Sequence, residues 1–80
     1  MGSNSIEIAN TKNGIGVAYY MKEEYAEALE QYSKCLEIQT KVLGSDSIQV
    51  ATTLKNIGLV YSKRGEFEKA FEQLNKCLEI

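Results

Sequence analysis

The chain has no histidine, no tryptophan and no proline, and only two cysteines, Cys35 and Cys77. Each shortage closes a class of function. A structural zinc site needs four cysteines, or cysteines with histidines, so one such chain cannot build it, and no metal is expected. The imidazole most often used as a general base is missing. There is no acid pair in an apolar setting and no nucleophile paired with a base, so no catalytic residue, cofactor or enzyme activity is expected. Glu66, Glu68 and Glu72 read as the exposed start of a helix, where the macrodipole favours negative charge. A disulfide scaffold of this size usually carries four or more cysteines at close spacing. The two here read instead as reduced, small apolar residues, which points to a cytoplasmic setting. No apolar run approaches the roughly 18 residues of a membrane span, so no membrane partner is expected. Net charge is −2 with both signs interspersed. A nucleic-acid surface wants a concentrated basic patch, so that partner is not expected either. The opening MGSNSI lacks the apolar stretch of a secretion signal. Ile6 stands where myristoylation wants Ser or Thr. Met1–Ser3 reads as a cloning remnant, and residues 1–5 as scar or cap. With 80 residues the chain is one domain at most. A core this small supplies about 3–5 kcal/mol, which leaves little room for a large cleft.

What is present is a repeat. Displaced by 42 residues, Ile6 falls on Ile48, Ala9 on Ala51, Thr11 on Thr53, Ile15 on Ile57, Gly16 on Gly58, Tyr19 on Tyr61 and Ala28 on Ala70. The block KCLEI at Lys34–Ile38 returns unchanged at Lys76–Ile80. Val17 meets Leu59 and Tyr25 meets Phe67, which keeps size and character. A period of this length is the mark of a solenoid.

Each copy reads as two helices, so the fold class is all-α. Ala51, Leu54, Gly58 and Tyr61, with Ile57 beside them, share one face at spacings of three and four. Phe67, Ala70, Leu74, Cys77 and Leu78 share another. In the first copy the matching faces are Ala9, Gly16 and Tyr19, then Tyr25, Ala28, Tyr32, Cys35 and Leu36. Gly65 and Gly44 are expected helix stops, because glycine enters the left-handed region without a Cβ clash. Asn4-x-x-Glu7 and Asp46-x-x-Gln49 resemble capping boxes, with Ser5 and Ser47 as alternatives one residue on. Glu30–Lys34, Glu37–Lys41 and Glu72–Lys76 have the spacing of helix-surface ion pairs.

The stretch NGIGVAYY, Asn13–Tyr20, invites a phosphate-binding reading. The dinucleotide loop needs a third glycine, and Tyr19 stands there; it also needs a preceding strand, and IEIANTK reads as a helix start. Gly58 recurs at the Gly16 register while Asn56 replaces Gly14. A glycine inside a helix costs about 1 kcal/mol relative to alanine, so its recurrence predicts a notch for a neighbouring helix.

Ile15-Gly16-x-x-Tyr19 followed by Ala28-x-x-x-Tyr32 resembles the tetratricopeptide pattern. The second copy resembles it more fully, with Leu54, Ile57, Gly58, Tyr61, Gly65, Phe67, Ala70 and Leu74. The likeness runs over residues 6–80 and implies an α-solenoid of two helix-turn-helix repeats, four antiparallel helices in all. Repeat 1 spans 6–47, and repeat 2 spans 48–80 and stops after its second helix. Two departures stand out. The usual repeat has about 34 residues and a proline near the end of its second helix. Here Thr40 occupies that place, so the second helix is expected to run on through Val42, and the run from Ala28 to Ala70 resembles the longer repeats of kinesin light chains. In copy one, Lys12 replaces Leu54 and Glu23 replaces Gly65. The segment Lys22–Glu24 is therefore the expected hinge if copies exchange domains, and Glu23→Gly should then alter the oligomer distribution.

The resemblance implies a protein-interaction scaffold whose first helices line a groove for a peptide or helix of a partner. Its pattern places Asn10, Asn13, Gly14, Val17, Tyr20 and Met21 in the groove from copy one. From copy two it places Thr52, Lys55, Asn56, Leu59, Ser62 and Lys63. Lys55 and Lys63 with Leu59 between them would favour acidic and apolar residues. The carboxylate clamp of one subclass does not fit: Asn13 and Val17 stand at its Lys and Asn positions, and Asn56 alone matches. Solenoids also need polar capping elements. None follows the second helix of copy two, so Phe71, Leu74 and Leu78 are expected to be bare and to support a homo-oligomer, most simply by a two-fold contact. The alternative function is thus a self-assembling repeat fragment or engineered building block with no ligand of its own.

Overall fold

The computed structural model describes residues 5–79. The expected remnant at Met1–Ser3 and the cap at Asn4 lie outside the described residues. Four helices follow in order: α1 (Ser5–Met21), α2 (Tyr25–Leu43), α3 (Ile48–Lys63) and α4 (Phe67–Leu78). No strand occurs among the described residues. The helices run antiparallel in sequence, in a slab of 41 × 29 × 12 Å. Packing is pairwise: α1 on α2, α3 on α4, and α2 on α3 between the hairpins.

The two hairpin turns are built alike. In the second, Glu66 N–H donates to the Tyr61 carbonyl at 2.9 Å and Gly65 N–H to that of Ser62 at 3.0 Å. Gly65 has φ +80°. This is the paired closure that satisfies the last carbonyls of a helix. In the first turn Glu24 N–H reaches the Tyr19 carbonyl at 2.9 Å and Glu23 N–H that of Tyr20 at 3.0 Å. Glu23 does so at φ +65°, the left-handed region that costs a residue with a Cβ about 1–2 kcal/mol. Ion pairs recur at the same register, Lys22–Glu24 at 3.1 Å and Arg64–Glu66 at 2.8 Å.

Both recurrent glycines are notches. A Cβ on Gly16 would meet the Tyr32 ring at 2.7 and 2.8 Å, and one on Gly58 would meet Leu74 at 3.0 Å. Each first helix thereby closes on the second helix of its own repeat. A Cβ on Gly14 would meet nothing within 4 Å.

Without a proline, α2 runs 19 residues to Leu43. Gly44 ends it at φ +90°, ψ 161°, a conformation open essentially only to glycine. The cap of α3 is Ser47, not Asp46. Its Oγ accepts from Val50 N–H at 3.1 Å, because Ser47 directly precedes the first helical residue and Asp46 does not. With Ser47 at the cap the third position is Val50, not Gln49, so no capping box forms. Ser5 already lies within α1, so it is not the cap. Of the helix-surface pairs Glu30–Lys34 closes, at 3.6 Å.

The core gathers where the repeats meet: Ala28, Tyr32, Ile57 and Val60, with Tyr19, Tyr20, Tyr25, Leu29, Leu36 and Tyr61 packed against them. Helix α3 is covered on two sides and buries Val50, Thr53, Leu54, Ile57, Gly58 and Val60, whereas α1 buries only Ala9 and Gly16. The apolar face expected on α4 is only partly used. Ala70 is buried, Leu74 and Cys77 are half-buried, and Phe67 and Leu78 are exposed, because among the described residues α3 is the one helix packed closely on it.

Helix α2 also reaches the second repeat. Its last turns carry Gln39 over α3, where Thr53 Oγ1 donates to Gln39 Oε1 at 2.6 Å. Cys35 Sγ lies 3.7 Å from the same hydroxyl. These buried groups satisfy one another inside an apolar joint. Burial pushes the Cys35 thiol above its ordinary range, partly offset by the Thr53 contact, so it is no activated nucleophile. Burial likewise raises the Tyr32 phenol.

Candidate peptide-binding groove

Helices α1 and α3 lie on the same side of the slab and run in the same direction, one repeat apart. They meet midway, where Asn56 Nδ2 donates to Asn13 Oδ1 at 3.2 Å. This bridge divides the groove between them into two unlike halves.

Toward the hairpin turns is an apolar cleft of about 160 Å³, lined by Val17, Tyr20, Tyr32, Asn56 and Leu59. Val17 and Leu59 are 37 and 40% exposed, so apolar surface stands open there. Tyr20 is held by the Tyr25 ring, with centroids 5.8 Å apart and planes tilted by 57°. Toward the start of α3 is a polar cleft of about 290 Å³, lined by Asn10, Asn13, Gln39, Ile48, Gln49, Thr52 and Thr53. A row of amides and hydroxyls of this kind can donate to and accept from a peptide main chain, while the apolar cleft can seat a side chain.

The structure brings Asn10, Asn13, Val17, Tyr20, Thr52, Asn56 and Leu59 into these two clefts. Lys55 and Lys63 are exposed and Ser62 is half-buried; none of the three lines either cleft, and nor do Gly14 and Met21. Tyr32 and Gln39 contribute to the lining from α2, behind the groove, and periodicity along α1 and α3 could not find them. The signal for Tyr32 was the Gly16 notch, which admits its ring. A larger bay of about 500 Å³ lies on α2 at Ser33, Lys34, Leu36, Glu37, Thr40 and Lys41. One helix lines it, so no second wall encloses a ligand there. Of the other expected positions, Phe71 and Leu78 are exposed, while Leu74 is half-buried against Gly58. No group of three or more His, Cys, Asp or Glu that could hold a metal occurs among the described residues. No helix among them is long and apolar enough to cross a membrane.

The family model described as Tetratricopeptide repeat matches residues 7–80. No curated protein matches the chain.

Proposed function

We propose, since the chain belongs to the tetratricopeptide repeat family, that it binds a segment of another protein in the groove between α1 and α3. Members of this family generally mediate protein–protein interaction. The observation that carries the finer reading is the division of the groove by the Asn13–Asn56 bridge into an apolar and a polar half. A ligand that fits both halves is an extended or helical segment. It places one apolar side chain against Val17, Tyr20 and Leu59 and lays its amides along Asn10, Asn13 and Thr52. Lys55 and Lys63, exposed on α3 outside both clefts, favour acidic neighbours through a screened attraction. The 19-residue α2 supports placing the chain with the longer, kinesin-light-chain-like repeats, with units at 6–47 and 48–80. The two free cysteines fit a cytoplasmic setting. The scattered charge speaks against a nucleic-acid or membrane partner.

Fluorescence anisotropy with a panel of acidic–apolar peptides tests the groove. Leu59→Ala should weaken binding about fivefold to tenfold, the loss of roughly 1 kcal/mol. Lys55→Glu should weaken it most at low salt, and Lys34→Glu, in the bay on α2, should leave it unchanged. Equal affinity for all of these variants sinks the groove reading. A second reading, self-association through α4, is favoured by Phe71 and Leu78, 63 and 83% exposed.

A further inference from the structure

The joint between the two hairpins is present once within the chain, and both of its halves recur, uncovered, at the ends. On the α3 side of that joint, Val50, Thr53, Ile57 and Val60 are 3, 2, 5 and 0% exposed. On the α2 side, Tyr32 and Cys35 are buried, with Leu29 and Leu36 half-buried beside them. One period earlier the α3 stripe becomes Ile8, Thr11, Ile15 and Ala18 on α1. One period later the α2 surface becomes Phe71, Leu74, Cys77 and Leu78 on α4. The chemistry is kept while the cover is absent: Ile8 and Ile15 are each 42% exposed, and Thr11 and Ala18 are exposed too. Single exposed apolar residues are ordinary. Two stripes that reproduce both sides of an interface already formed in the same molecule are not.

We propose that the α1 stripe of one copy docks on the α4 stripe of a second copy in the geometry of the internal α2–α3 joint, so that chains associate head to tail. This rests on the reading of α4 as a self-association surface and gives it a partner face and a symmetry. The two faces differ, so the contact is heterologous, and every dimer keeps one free face of each kind; growth is open-ended. A two-fold contact of α4 on α4 leaves Ile8 and Ile15 bare, whereas the head-to-tail contact covers both stripes. It also sets Thr11 beside Cys77 of the next copy, as Thr53 sits beside Cys35 within one chain.

Sedimentation velocity over a concentration series tests this with Ile15→Glu and Leu78→Glu, both at exposed positions. The unmodified chain should grow past dimer without a plateau. Each variant alone should be monomeric, and an equimolar mixture of the two should stop at dimer, because each supplies the face the other lacks. Circular dichroism of the variants checks that they stay helical. A dimer plateau abolished by Leu78→Glu and kept by Ile15→Glu overturns the head-to-tail contact and keeps the self-association reading; a monomer at every concentration overturns both. An independent arm uses Thr11→Cys with a short bis-maleimide. Linkage to Cys77 should yield a ladder of multimers, and dimers alone would contradict the proposal.

Discussion

Gly16 and Gly58 hold the same register, yet their notches are not equally tight. At Gly16 the obstacle is the edge of a buried aromatic ring; at Gly58 it is mainly the end of a half-buried leucine. A rigid ring can yield only by moving as a unit, while a leucine can change rotamer. Overpacking costs about 1–3 kcal/mol, against about 1 kcal/mol regained when a helical glycine becomes alanine. Gly16→Ala should therefore lower stability by about 1 kcal/mol, and Gly58→Ala should sit near neutral, as read from urea midpoints. Glu23 offers the opposite test. It holds the left-handed position that Gly65 fills in the other hairpin, so Glu23→Gly relieves about 1–2 kcal/mol of backbone cost. The freer unfolded chain takes back about 0.4–1 kcal/mol. A net gain of about 0.5–1 kcal/mol in a melt is expected, and Gly65→Glu should lose about as much. The notches and the odd residue at the turn were legible because the repeat sets each position beside its own duplicate. That the neighbour at Gly16 is a rigid ring was not legible, since it depends on which rotamer Tyr32 adopts.

Among the elements, α2 departs most from a shorter repeat. The lack of proline was enough to foresee its length, since nothing removes an N–H or clashes with a carbonyl before Gly44. What α2 carries near its end was hidden: Gln39, just before Thr40, reaches Thr53, and periodicity would assign both polar residues to solvent. Thr53→Val leaves the Gln39 carbonyl buried without its donor and should cost about 1–3 kcal/mol. Gln39→Leu removes the acceptor, and the double variant should cost less than the sum, the sign of direct coupling in a double-mutant cycle. Strict additivity would mean that the 2.6 Å contact contributes nothing of its own. The start of α3 was legible only to within a residue, because Asp46 and Ser47 are both good caps and the chain path between them chooses the serine.

For the molecule as a whole, two repeats bury one joint and leave the outward faces of α1 and α4 bare. If copies cover those faces, association stabilises the folded state by mass action. The melting temperature should then rise with protein concentration, and Leu78→Glu should flatten that dependence; a melting temperature independent of concentration in the unmodified chain speaks against association. The repeat made the helical fold legible, and the family pattern picked out Asn10, Asn13, Val17, Tyr20, Thr52, Asn56 and Leu59, which line the two clefts. The clefts themselves were less legible, because Tyr32 and Gln39 reach them from a third helix, and Lys55 and Lys63 stand outside them. One consequence follows from α2, which packs against both α1 and α3. It works as the spine of a half-open book, with α1 and α3 as leaves clasped near mid-height by a single amide pair. Rolling a leaf about that spine works against the core that Tyr32, Ile57 and Val60 form there. On the proposed groove reading, a guest seated between Val17 and Leu59 would fix the opening of the leaves, and the pitch of any longer stack would record whether the gap is filled.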